Sequence, residues 1–518
     1  MKIPLLKNTV TNYILIALKL LEGFLLVRWI ISLLGVDLYG LWGILWGFLM
    51  YAALVDFGFG IAIRKCTARG LWQQDLAHYN RVASTLFIAS VAMMVPLLGA
   101  TAVAVWQAPL LFKLQSDADG MITLARWGLV IFGIGNSVNF PLTLFGNMMV
   151  GLQQQYRQNV IYAILKVIEF AVVCAVFLVG LPPHQAFYVL LTLVVAIPVL
   201  GNALVGVAVY RAIPGLRLSL GFDKAAFGEV LSFSGWIYLG TLAHLIIGTI
   251  SPLLVGAFCG LTVAGVFQVG RKFPQIMCQL TTPYQENTSP LAARLWAHGK
   301  RRTLGRVLLG FMRWNAFIST ALSLLVFALA PELIRFFFKV DIPEAAMVCR
   351  VFTVHMWLQL VASTVPQAAF LMVERHRFHI LTSTAAAVLT IAFTIAALRI
   401  WPGSATAVTF AGFTVAALLA FLAHFPMLSH VVGLPVFVIF GRTVGAALCA
   451  AIPALLAARF GADAIGASDF WRLAVGTIFG TGTFLPLGAV LLFTLAEQNR
   501  AWHRAQAVIA RLAPRRGR

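Results

Sequence analysis

The chain has 518 residues, of which 61% are hydrophobic and only 11% charged. That is more apolar sequence than one soluble core of this size buries, so the surplus faces lipid. A formal net charge of +21 would point to nucleic acid in a soluble protein. Here the basic residues follow alternate loops, as cytoplasmic loops of membrane proteins do, and no nucleic-acid partner is expected.

Crossing the ~30 Å hydrocarbon layer takes about 20 apolar residues per helix. In chain order such stretches run Thr11 to Leu34, Leu41 to Ile63, Val82 to Val105, Ile122 to Phe145, Asn159 to Gly180, Ala186 to Val209 and Phe233 to Phe258. They continue as Thr262 to Gln285, Arg306 to Ala330, Ala346 to Val373, Ile380 to Ile400, Ala405 to Phe425, Arg442 to Phe460 and Trp471 to Ala496. The pattern predicts an all-α polytopic membrane protein of about fourteen spans. A β-barrel is excluded, because its strands are about 10 residues long and alternate in polarity.

One set of loops carries most of the charge, including Lys2, Lys7, Arg64, Lys65, Arg69, Lys300, Arg301, Arg302 and the arginines of the tail. The other set holds little beyond Lys113, Arg335, Lys339, Arg399, Arg459 and Arg472. Both termini are therefore expected in the cytoplasm, and the basic tail from Glu497 to Arg518 on anionic lipid. The first span contains Lys19, Glu22 and Arg28 with no small-residue cleavage site after it, so it reads as a retained helix. Six scattered cysteines have neither metal-ligand nor CxxC spacing, and no metal or cofactor is expected.

No loop is long enough for a folded extramembrane domain. The segment Leu34-Gly35-Val36-Asp37-Leu38-Tyr39-Gly40-Leu41 lines up, 225 residues later, with Cys259-Gly260-Leu261-Thr262-Val263-Ala264-Gly265-Val266. A Gly-x4-Gly turn thus recurs, and it divides the first twelve spans into six plus six, as transporter repeats do. The expected organisation is a six-helix bundle over 1–215, a second over 216–440, two appended helices over 441–495 and a basic tail over 496–518.

An ionisable residue at mid-membrane costs about 2.5 to 3.5 kcal/mol, so such residues face each other or a water-filled cavity. The eighth span places Gln268, Arg271, Gln275, Gln279, Thr282 and Glu286 in a sector of roughly 80°, with Lys272 beside it. This stripe reads as a cavity wall. The first span puts Asn8, Asn12, Lys19 and Glu22 on one side, and the fifth repeats the spacing as Asn159, Lys166 and Glu169. Each Lys and Glu lie three apart and can pair, either as a self-neutralising pair or as a mobile charge in a transport path. Asp56 enters at about the depth of Lys19, and His244 reads as a proton site or a packing residue. Arg28, Arg126, Arg313 and Arg350 lie near span ends, where long side chains snorkel. Cations outnumber anions in the presumed cavity set, which suits an anionic substrate such as a phosphate or pyrophosphate on a lipid.

The opening pattern Arg28, Leu34-Gly35, Tyr39-Gly40-Leu41, Asp56-Phe57-Gly58, Ala62 and Arg64, with Gly151-Leu152-Gln153 and Arg271-Lys272-Phe273-Pro274, resembles the polysaccharide (O-antigen type) flippases of the multidrug/oligosaccharidyl-lipid/polysaccharide exporter superfamily. The resemblance covers about the first 300 residues. It implies two six-helix bundles around a central cavity lined by helices 1, 2, 7 and 8, where Lys19, Glu22, Asp56, His244, Arg271 and Lys272 fall. Lipid II flippases of this superfamily also have fourteen helices, the last two forming a groove for the lipid tail. Ser251-Pro252 departs from the pattern, since many members carry an aspartate there.

The expected activity is therefore transport without catalysis. A polyprenyl-pyrophosphate-linked glycan would be flipped across a bacterial cytoplasmic membrane by alternating access, with membrane lipids and polysaccharide assembly proteins as further partners. In that reading Lys19, Arg28, Arg271 and Lys272 bind pyrophosphate. Asn12, Lys166, Gln268, Gln275, Gln279, Thr282 and Glu286 line the cavity, while Glu22, Asp56, Glu169 and His244 balance charge or couple an ion. A cation-coupled drug exporter of the same superfamily is the alternative and predicts a carboxylate-dominated cavity. A membrane glycosyltransferase or polymerase is a third reading, and the chain has no large outer loop of the kind such an enzyme usually needs.

Overall fold

The computed structural model describes residues 5–50, 58–73, 75–112, 120–286, 295–296, 301–370, 376–465 and 468–493, and every regular element among them is helical. In chain order these are α1 Leu5–Met50, α2 Phe59–Gln73, α3 Leu76–Ala92, α4 Met94–Trp106, α5 Ala108–Leu111, α6 Met121–Gly151, α7 Gln155–Val179, α8 Pro183–Ala212, α9 Lys224–Cys259 and α10 Leu261–Glu286. The chain continues as α11 Arg301–Ala328, α12 Ala330–Phe338, α13 Pro343–Gln359, α14 Val365–Phe370, α15 His376–Ile400, α16 Ala405–Leu419, α17 Phe425–Val432, α18 Val436–Phe440, α19 Ala446–Asp463 and α20 Asp469–Leu492. Single π-helical turns, Leu360–Thr364, Ala420–His424 and Gly441–Gly445, join α13 to α14, α16 to α17 and α18 to α19.

Among the described residues eleven helices are long and apolar enough to cross a membrane, and the bent pair Tyr238–Gly248 and Ile250–Cys259 makes a twelfth. Helix lies at all fourteen expected places, although the second expected span runs over residues 51–57, outside those described. The tally by apolarity falls short because α10 carries its polar stripe and the first leg of α1 carries Lys19, Glu22 and Arg28.

The chain divides into two compact units. The first holds Met1–Gln268, Phe337–Lys339 and Ser383–Val408; the second holds Val269–Phe336, Val340–Thr382 and Thr409–Arg518.

In the first unit α1 breaks at Gly35, which has φ 76° and ψ 176°. Gly260, between α9 and α10, has φ 89° and ψ 178°. That region of backbone space is essentially closed to residues with a Cβ. The two glycines are the equivalent positions of the 225-residue repeat, and the packing around them is reciprocal. Gly40 lies against the Leu261 carbonyl and the Gly265 amide, while Gly265 lies against the Val36 carbonyl. Position 36 maps on 261 and 40 on 265, so each contact is the image of the other, as a local two-fold relation requires. Gly43 abuts Gln268, its own equivalent.

Polar residues then fasten α1 to α7. Asn8 donates to the Gln153 carbonyl at 2.8 Å and accepts from the Tyr156 amide at 2.9 Å, and Asn159 donates to Thr11 Oγ1 at 3.2 Å. Further along, Trp29 stacks on Phe170 and Phe177. Tyr162 donates to Asn202 at 2.9 Å and Asn202 to Asn139 at 2.9 Å, tying α7, α8 and α6 together. Phe59, Leu86, Met148 and Val205 are fully buried in the unit's core.

The second unit is built around α11, whose Leu304, Leu308 and Met312 are buried with Val361, Phe370 and Phe425. Its last two long helices pair closely through small residues: Ala450, Ala454, Ala458 and Ala462 are fully buried on α19, against Gly476 and Gly480 of α20. Without a hydrophobic drive in lipid, such small-residue stripes let helices approach and gain dispersion contact. On α12, the Glu332 carboxylate is 1% exposed and accepts from Arg459 at 2.9 Å, with Arg335 at 3.8 Å. Arg335 also meets Asp469 at 3.1 Å, a hydrogen bond that raises its pKa above the usual arginine value.

Candidate functional site

The polar face of α10 sets this helix apart, because polar groups carried along a membrane helix must be met by protein or by water. Gln268 is half-buried. Three residues on, Arg271 is 6% exposed, with its guanidinium carbon 5.1 Å from the centre of the Phe352 ring on α13. Phe352 in turn stacks on His355, centroids 5.4 Å apart and planes 7° from parallel. His355 is itself buried, beside Gly412 of α16. The approach of α10 to α13 depends on Gly270, where a Cβ would come within 2.6 Å of the Val348 side chain.

Lys272 and Gln275 are half-buried and Gln279 is exposed. The stripe read from the sequence is therefore graded: its Arg271 end is sunk among aromatic rings and its Gln279 end is open. Thr282 and Glu286 are helical in backbone, and their side chains lie outside those described, as do those of Glu22 and His244; Asp56 falls wholly outside the described residues.

On α1, Asn12, Lys19 and Arg28 are exposed. Asn8, placed with them by spacing, serves the α1–α7 joint instead. On α7 the expected pair has formed: Lys166 Nζ lies 2.5 Å from Glu169 Oε2, with the lysine side chain 23% exposed and the glutamate 5%. The sequence left open whether these two neutralise each other, and in this geometry they do.

Chemically, Arg271 joins two properties. Its guanidinium presents N–H donors in a planar fork that matches phosphate oxygens. The ring beneath it adds a cation–π attraction of about 0.5 to 2 kcal/mol, larger when desolvated, which holds a charge in a dry place. Lys272, the next residue, adds a second, half-buried cation.

Sequence reasoning missed Phe352 and His355, since an aromatic residue in a membrane helix carries no sign of which cation it meets. It also missed His424 of the second π-helical turn, whose Nδ1 lies 2.9 Å from Ser363 Oγ of the first. π-helical turns have no simple residue code, although they recur at functional sites.

Residues 136–346 match the family described as "Polysaccharide biosynthesis protein", a stretch that contains α7 to α11 and hence Lys166, Arg271 and Lys272. No curated protein sequence matches the chain significantly. Among solved structures the chain is similar to an inward-facing multidrug resistance transporter of the MATE family, at 16% identity and TM-score 0.65, over 79% of this chain and 95% of that one. It is similar to the lipid II flippase MurJ in an inward closed conformation, at 12% identity and TM-score 0.63, over 93% of this chain and 98% of that one. A third is a MOP-superfamily transporter from Pyrococcus furiosus described as having a binding pocket of reverse polarity, at 14% identity and TM-score 0.53, over 82% of this chain and 95% of that one. The resemblance read from the opening motifs is thereby borne out: this is a multi-pass membrane protein with the fold of the MOP-superfamily transporters, carrying the sequence pattern of the polysaccharide biosynthesis family over residues 136–346.

Proposed function

We propose that the chain flips a polyprenyl-pyrophosphate-linked oligosaccharide across a bacterial cytoplasmic membrane by alternating access, in the synthesis of a surface polysaccharide. The observation that carries this reading is Arg271, a cation kept deep in a membrane helix on an aromatic ring, beside Lys272, within the segment that matches the polysaccharide biosynthesis family. Cations at that depth are costly to desolvate, and a pyrophosphate that reaches them offsets part of that cost. The similarity to MurJ over 93% of the chain supports the same reading.

In this mechanism Arg271 and Lys272 hold the pyrophosphate, and Lys19 and Arg28 contribute from α1. The sugars pass along Asn12, Gln268, Gln275, Gln279, Thr282 and Glu286, while the lipid tail stays in the bilayer. Lys166 is already neutralised by Glu169, so the charge balance or ion coupling falls to Glu22, Asp56 and His244. No bond is made or broken. The likeness to the MATE transporter is one of fold, and the rival reading, a cation-coupled drug exporter, wants a site dominated by carboxylates.

An Arg271→Ala/Lys272→Ala double variant, produced at wild-type level in the membrane, is expected to lose export of the lipid-linked glycan. Export at the wild-type rate by that variant would overturn the assignment.

A further inference from the structure

A second cationic feature lies outside the residues assigned to transport. Within the second unit a cavity of about 510 Å³ opens among α11, α13, α16 and α19, walled by Phe327, Met347, Phe410 and Leu455, with Arg350 and Arg459 its charged lining residues. The two arginines differ. Arg459 is neutralised by Glu332 at 2.9 Å and Asp463 at 2.8 Å. Arg350 donates to the Phe327 carbonyl at 3.3 Å, and among the described residues no carboxylate lies within ion-pair distance of it.

Arg350 sits seven residues inside α13, about 10 Å from the helix start. The apolar span that holds it runs Pro343–Gln367, so Arg350 lies in the half of the span nearer its start, from which a long side chain can snorkel to lipid headgroups. Met347 and Phe410 beside it are 48% and 50% exposed, as side chains in contact with lipid are. An unbalanced guanidinium over an apolar groove of this size calls for an amphiphile with one anionic head and one chain. The volume is too small for a lipid-linked glycan.

We propose that this groove holds one anionic phospholipid of the bilayer, its phosphate on Arg350 and one acyl chain among Phe327, Met347, Phe410 and Leu455. The lipid would bridge α13 to α19, the helix that Glu332 already anchors from the other side of Arg459.

The test uses the full-length protein in neutral detergent, titrated with phosphatidylglycerol or phosphatidylcholine and followed by native mass spectrometry. One phosphatidylglycerol is expected to survive delipidation, with Arg350→Gln weakening its retention roughly ten-fold, the scale of a lost charge-assisted hydrogen bond. Met347→Trp, which fills the groove and leaves Arg350 in place, is expected to weaken it as much, and stands as the test if Arg350→Gln does not fold. Equal retention by wild type and Met347→Trp would overturn the proposal, as would equal retention of phosphatidylcholine. Displacement of the lipid by added polyprenyl phosphate at equal concentration would also overturn it, by assigning the groove to the transported class of lipid.

Discussion

At the scale of single residues, Glu332 is a buried carboxylate that two arginines of the second unit share. It is 1% exposed and serves Arg459 and Arg335 together, so Glu332→Ala takes one counter-charge from each, while Asp463 stays with Arg459 and Asp469 with Arg335. Thermal unfolding in detergent should show a clear fall in midpoint, because the lost carboxylate is the buried member of the network. Asp341, also near Arg335 but 71% exposed, is the control: Asp341→Ala should move the midpoint little, as exposed pairs contribute about 0 to 1 kcal/mol. Phe352→Leu separates another effect. It removes the ring under Arg271 at similar apolar bulk and should weaken glycan transport more than it lowers stability, which paired transport and unfolding measurements would check. The legible and the hidden differ here for a physical reason. Lys166 and Glu169 are three apart on one helix, so their pairing could be read from spacing. Glu332 and Arg459 are 127 residues apart, and only the packed helices bring them together.

At the scale of elements, the repeated break is the most exposed to mutation. Gly35 and Gly260 occupy a backbone region that costs other residues about 1 to 3 kcal/mol each. Gly35→Ala and Gly260→Ala should therefore lower the unfolding midpoint by similar amounts, and a wild-type midpoint in either variant would contradict the reciprocal geometry. The repeat itself was visible as Gly-x4-Gly at an offset of 225 residues, because close backbone contact admits only glycine at Gly40 and Gly265. The three π-helical turns were not visible, since nothing in Leu360–Thr364 or Ala420–His424 distinguishes them from α-helix by composition. The pairing of α19 with α20 was only half visible: their apolar length marked two spans, while the alanine stripe facing Gly476 and Gly480 emerged from the packing. Gly480→Leu should pry them apart, because the Ala458 Cβ already lies 2.9 Å from where a Cβ would begin, and limited proteolysis of the second unit should accelerate.

At the scale of the whole molecule, composition, loop charge and the polar stripe of α10 together describe a membrane protein that carries cations, Arg271 among them, inside a membrane helix. The class of fold was legible because lipid demands helices of fixed length with every backbone group satisfied internally. The proposed cargo rests on a charge preference in the sequence, since sugars are recognised by hydrogen bonds that many polar residues can make. The most direct measurement is therefore of the cargo: delete the gene in its host and locate the lipid-linked oligosaccharide in intact spheroplasts with an added glycosidase. The flippase account predicts that the glycan accumulates on the inner leaflet, protected from the enzyme, and that wild type but not Arg271→Ala/Lys272→Ala restores its exposure. Normal exposure of the glycan in the deletion strain, together with new sensitivity to cationic drugs, would contradict it.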